Sequence, residues 1–107
     1  MSDDNQKAAV VAEAFWPTGL AARYMTQLCK HFAHRITVTL NEHDGRIEFA
    51  MGHCDLQAEA DGLRMRATAA DETDLADVER VVISHLQRFA FRDLTEEQAA
   101  AIVWTRL

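Results

Sequence analysis

Cys29, His31 and His34 place three metal-competent side chains within six positions. On a continuous helix turning about 100° per residue, Cys29 and His31 point about 160° apart, so sharing an ion would require the helix to unwind near Ala33. His31 and His34 lie about 60° apart and three residues along, close enough to chelate one ion. Two ligands hold a metal weakly, and the spacing fits no standard zinc signature. The competing reading packs one histidine at the edge of an apolar stripe and leaves the other in solvent. His85 falls angularly between Val81 and Phe89, on the apolar side of its own helix, where an imidazole needs a carbonyl or carboxylate partner. If the helices carrying His31 and His85 pack side by side, the two rings approach. His31, His34 and His85 would then supply three nitrogen ligands and an open position for zinc or iron. Cys29 as a nucleophile would need a nearby base and a lowered pKa, and no cysteine-hydrolase signature flanks it. In Arg88-Phe89-Ala90-Phe91-Arg92, two guanidiniums surround a helix end, where they suit the negative pole of the helix or, alternatively, form a carboxylate or anion site from Arg88 and Arg92.

The elements that position these residues follow from periodicity. Ala8 to Phe15 predicts a strand ending before Pro17, and Thr18 sits where a helix N-cap belongs. Leu20, Tyr24, Leu28 and Phe32, with Ala21, Met25 and Cys29 one position on, predict a helix with one broad buried stripe. Ile36–Leu40 and Ile47–Met51 alternate around Asp44-Gly45, a hairpin that as a two-residue loop sets Leu40 opposite Phe49 and Val38 opposite Met51. Asp61-Gly62 likewise sets Cys54 opposite Ala69, Leu56 opposite Ala67 and Ala58 opposite Met65 inside. Outside, it sets Asp55 opposite Thr68, Gln57 opposite Arg66 and Glu59 opposite Arg64. Gly52 is the breaker between the two hairpins, so an antiparallel meander with one apolar and one charged face is expected. The charged face, with His53, Asp55, Glu59, Arg64 and Arg66, reads as solvated surface or as a docking face. Asp71 caps a second helix with Leu75, Val78, Val82, Leu86 and Phe89 buried and an end near Arg88. Thr95-Glu96-Glu97-Gln98 has capping-box spacing for a short helical turn, and Ile102–Thr105 reads as a last strand. The order β-α-β-β-β-β-α-β makes an α+β two-layer sandwich, an antiparallel sheet with two helices on one face.

The 107 residues, 49% hydrophobic and 26% charged, fit one domain over residues 8–107 after a polar, frayed start over residues 1–7. A chain of this length buries enough surface to fold without disulfides or a structural metal, so Cys29 and Cys54 need not be staples; Cys54 faces inward as a small apolar residue. A formal charge of −6 disfavours nucleic acid. The nine Arg against two Lys reads as compositional bias rather than as an anion site. No apolar run approaches the ~20 residues of a membrane span and no signal-peptide build opens the chain, so a cytoplasmic protein without a membrane partner is expected.

Tyr24, Gln27-Leu28-Cys29-Lys30-His31-Phe32, His34, Gly52 before Cys54 and, above all, His85-Leu86-Gln87-Arg88-Phe89-Ala90-Phe91-Arg92 resemble the bacterial domain-of-unknown-function 2218 family over about residues 8 to 106. The resemblance implies a small bacterial protein of a kind also found beside or fused to siderophore-interacting flavoproteins, and it implies no enzymatic activity. His31, His34, His85, Arg88 and Arg92 are the positions it carries over as candidate ligand-binding residues. Three functions are compatible with the residues. The first is a binding or accessory module attached to iron or siderophore metabolism. The second is a metal-dependent enzyme or redox accessory using His31, His34 and His85. The third is an interaction domain with a protein partner, such as a homodimer pairing an exposed strand edge.

Overall fold

In a computed structural model describing residues 9–107, the elements run β1 (Val10–Pro17), α1 (Ala21–Ala33), β2 (Val38–Leu40), β3 (Asp44–Phe49), β4 (Gly52–Glu59), β5 (Gly62–Ala69), α2 (Glu72–Phe89), α3 (Glu96–Ala100) and β6 (Thr105–Arg106). The expected frayed segment, residues 1–7, lies outside the described residues. One six-stranded antiparallel sheet has the order β2-β3-β4-β5-β1-β6, and the helices lie on one side of it, the α+β two-layer sandwich expected. No helix of the described residues is long and apolar enough to cross a membrane.

The hydrophobic effect accounts for this arrangement residue by residue. Ala12, Ala14 and Trp16 of β1, Ile47 of β3, Cys54 and Leu56 of β4, and Leu63, Met65 and Ala67 of β5 alternate onto one face and are buried. Against that face α1 buries Ala21, Tyr24, Met25, Leu28 and Cys29, and α2 buries Leu75, Val78, Val82 and Leu86. Asp71 caps α2 as expected, its side chain accepting from the Asp74 N–H at 2.8 Å. Thr95 and Gln98 form the full capping box that starts α3.

Several boundaries and both hairpin registers differ from expectation. The loop between β2 and β3 is Asn41–His43, closed by the Asn41 N–H donating to the Asp44 carbonyl at 2.8 Å, and Val38 faces Ile47 while Leu40 faces Gly45. The next register puts Cys54 opposite Ala67, Leu56 opposite Met65 and Ala58 opposite Leu63, with Ala60-Asp61 as the connection. On the outer face Asp55 faces Arg66 and Gln57 faces Arg64. Both Asp-Gly glycines are therefore strand residues, needed for close approach. A Cβ on Gly45 would come within 2.9 Å of Cys29 Sγ in α1, and one on Gly62 within 2.5 Å of the Trp16 carbonyl oxygen in β1. Among the described residues only Gly52 has a positive φ, so neither hairpin uses the left-handed turn that the Asp-Gly pairs suggested. Both slips are by an even number of residues, so every side chain stays on its predicted face.

β1 runs on through Pro17 instead of stopping at Phe15. The Leu107 N–H donates to the Val11 carbonyl at 2.9 Å, so the odd residues of β1 turn their backbone groups toward β6. Pro17 lacks its N–H on that side, beyond the reach of β6, which pairs only with Ala12 and Glu13. The last strand is correspondingly Thr105–Arg106 rather than Ile102–Thr105. Thr18 does not cap α1. Its Oγ1 accepts from the Leu20 N–H at 3.1 Å, and Leu20, placed in the buried stripe by spacing, precedes the helix and is 42% exposed. β2 is also shorter than predicted, starting at Val38 because residues 34–37 leave α1 through carbonyl contacts to Phe32.

Candidate functional site

The last turns of α1 and α2 meet above the sheet, and they carry His31 and His85. The two ring centroids are 5.3 Å apart, inclined at 41°. Phe32 sits beneath both, 5.1 Å from His31 and 4.8 Å from His85, and rests edge-on against Phe49 of β3 at 5.1 Å. Phe89 closes the other side, 5.2 Å from His31. These contacts form an aromatic frame whose floor is the core and whose rim is solvent.

His85 is half-buried. Its Nδ1–H donates to the Val81 carbonyl, one helical turn back, at 2.8 Å. This bond places a proton on Nδ1, so the lone pair of the neutral ring is on Nε2, which has no hydrogen-bond partner among the described residues. The carbonyl partner is the one the purely structural reading asks for, and the unoccupied Nε2 is what a ligand could use. His31 is exposed, and its pKa lies below the ordinary histidine value. Packing of the ring lowers it first, and the like-signed neighbours His85, Arg88, His34 and Arg35 lower it further. Removing the Arg88 charge relieves part of that repulsion. In Arg88→Ala, His31 is expected to titrate at a higher pH than in the wild type, read from its imidazole proton shifts, and an unchanged titration would place Arg88 outside the site.

His34 stands at the C-cap of α1, exposed, on the same corner. Among the described residues no group of three His, Cys, Asp or Glu side chains is arranged to hold one ion. Cys29 is fully buried, on the opposite face of a helix that continues unbroken through Ala33, and burial pushes its thiol up to about 11. It is thereby removed both from sharing an ion with His31 and from nucleophilic use. Cys54 faces inward as expected, its thiol also raised by burial.

Ion pairing separates the arginines into two groups, which no reading of spacing could do. Arg46 binds Asp55 through two hydrogen bonds of 2.7 and 3.1 Å. Arg66 binds Glu13 at 2.9 Å, and Arg64 bridges Glu13 at 3.1 Å and Glu59 at 2.8 Å. Arg80 pairs with Asp77, and Arg106 with Glu72. The remaining cations of the described residues, Arg23, Lys30, Arg35, Arg88 and Arg92, have no described carboxylate within 4.0 Å. All but Arg23 lie in the last turns of α1 and α2 or just beyond them. Arg92 stacks over Phe91, 5.7 Å from the ring centroid, and Phe91 is 60% exposed. Lys30 and Arg35 were not singled out from sequence; their only signal was adjacency to His31 and His34.

The profile of a family described as "Uncharacterized protein conserved in bacteria (DUF2218)" matches residues 13–104. The fold is similar to an NMR structure of PA4090 from Pseudomonas aeruginosa, with a TM-score of 0.73 and 34% identity over 90% of this chain and 95% of that one. No curated protein matches this sequence.

Proposed function

The chain belongs to this uncharacterised bacterial family, DUF2218, and on that footing we propose that it is a binding or accessory module with no chemical step of its own, whose ligand site is the basic, aromatic corner where α1 and α2 end. Its ligand is a small, carboxylate-rich anion of the class that chelates iron, in keeping with the iron and siderophore setting implied by the resemblance. One observation carries the reading: in a chain of formal charge −6, four of the five described cations without a described carboxylate partner, Lys30, Arg35, Arg88 and Arg92, gather at this corner. Arg88 and Arg35 offer planar guanidiniums to carboxylates, and His34 and Arg92 extend the basic rim. The His31 and His85 rings supply an apolar flank and, at His85 Nε2, an acceptor for a hydroxyl or a metal.

A histidine-resolved NMR titration with citrate, and with gallium(III) citrate as a diamagnetic ferric stand-in, tests the proposal. Shifts of His31, His34 and His85 with His43 and His53 unmoved are expected, with a dissociation constant of about 1 mM or tighter that weakens about tenfold in Arg88→Glu. No shift at saturating citrate overturns the proposal. The 5.3 Å approach of His31 and His85 favours one second reading, a weak zinc or iron site on these two rings, since the described residues do not assemble His34 with them around one ion. That reading requires His31 and His85 to shift with zinc alone and to stay still with citrate.

A further inference from the structure

The charged face of the sheet, opposite the helices, carries a pattern that matches its own copy. Its central cross-strand row runs from β3 to β1 through Arg46, Asp55, Arg66 and Glu13, each directly opposite the next in register. The signs alternate, plus, minus, plus, minus. Reversed end to end, such a row of four presents minus, plus, minus, plus, so it is complementary to itself in one orientation and repulsive in the other.

We propose that this face is a self-association surface that takes a second copy of the chain about a two-fold axis parallel to the strands and passing between β4 and β5. In that orientation Arg46 meets the partner's Glu13 and Asp55 meets the partner's Arg66, and the symmetry repeats both contacts. A two-fold along the row would instead set like charges together, so the pattern selects one arrangement, with aligned strands as in a two-sheet sandwich. The row spans roughly 14 Å at a strand spacing of about 4.8 Å, short enough for the natural sheet twist to be absorbed by flexible guanidinium side chains. Each charge is paired within its own sheet, yet the side chains of Arg46, Asp55 and Arg66 remain 45%, 38% and 53% exposed and that of Glu13 21% exposed, so all four present area on this face. Arg64 stacks on Phe15 at 4.9 Å beside the row and adds an apolar margin. This surface lies on the other side of the sheet from the ligand corner and does not depend on it.

Two charge swaps test the proposal while keeping the Arg46–Asp55 and Arg66–Glu13 pairs; Glu13→Arg also removes the Arg64–Glu13 contact, leaving Arg64 on Glu59, and Asp55→Arg removes the contact with His53. Arg46→Asp with Asp55→Arg keeps that pair and the net charge but turns the row into minus, plus, plus, minus, which sets like against like when reversed. Glu13→Arg with Arg66→Glu turns it into plus, minus, minus, plus, with the same result. Mixed together, the two variants are complementary at all four positions. By sedimentation velocity over a dilution series, the wild type is expected to dimerise at low salt and to weaken about tenfold when salt reaches about 0.5 M, where screening acts within a few ångströms. Each swap alone is expected to be monomeric, and the mixture to form a one-to-one heterodimer, which also shows that both variants are folded. Three results overturn the proposal: a wild type monomeric at about 1 mM protein in low salt, a swap that dimerises as the wild type does, or a mixture that stays monomeric.

Discussion

Replacing Gly52 with Ala is expected to lower the unfolding free energy by about 3 kcal/mol, read as a shifted urea midpoint in tryptophan fluorescence. Gly52 opens β4 directly opposite Ala69 of β5 and Phe49 of β3, under the middle of α2. A Cβ there would stand 2.2 Å from the Thr68 carbonyl oxygen, 3.0 Å from Val78 Cγ2 and 3.1 Å from Ala69 Cβ. The carbonyl is backbone held within the β4–β5 ladder, so relief requires β5 or α2 to move, and both belong to the core. Gly19→Ala is the control. A Cβ at Gly19 meets nothing within 4 Å, so its midpoint should stay within about 0.5 kcal/mol of the wild type. Equal midpoints for the two variants would show that β5 and α2 do not approach Gly52 as closely as described.

Leu86→Ala is expected to cost about 3 kcal/mol, within the range of about 2 to 5 for a fully buried leucine truncated to leave a cavity. Leu86 is completely buried on α2, next to His85 and three residues before Phe89. Its carbonyl also accepts the Ala90 N–H at 2.9 Å and so closes the helix that presents both site residues. The loss should therefore reach the site. The His85 imidazole resonances should broaden as the last turn of α2 loosens, while those of His53, on β4, stay sharp. The exposed Ser84→Ala, one residue before His85, should change stability by less than about 0.5 kcal/mol. A Leu86→Ala protein as stable as the wild type, with His85 unbroadened, would show that the site does not depend on packing beneath it.

Alternation and helical spacing place nearly every side chain on its correct face before any contact is known. Leu56, Met65 and Ala67 read as inward and are inward, and Leu75, Val78, Val82 and Leu86 read as one stripe and are one stripe. The hairpin registers were misplaced because Asp44-Gly45 and Asp61-Gly62 have the residue types of tight turns. Their glycines serve strands and helices that arrive from far along the chain, Cys29 in one case and Trp16 in the other. A turn preference is local and weak; a backbone that must pass within 3 Å of another element is neither. The error left the faces intact because a slip of even length preserves the two-residue period.

The site divides in the same way. His31 and His85 could each be placed on a helix and on a side of that helix from sequence, since both depend on neighbours three and four residues away. Their approach to 5.3 Å depends on where the ends of two helices separated by the whole meander come to rest on the sheet. The nine arginines look alike in sequence, and only the tertiary structure distinguishes the five neutralised by carboxylates from Arg35, Arg88 and Arg92, left unpaired around the histidines, and Arg23, left unpaired at the start of α1, because most of the pairing is set by distances between elements. Sequence by itself therefore determined the class of fold, the buried faces and the capped start of α2, all governed by short-range periodicity. The tertiary structure alone decided the registers, the joining of the two histidines and the charge pattern of the open face, since each of these is a relation between segments that the chain brings together only by folding.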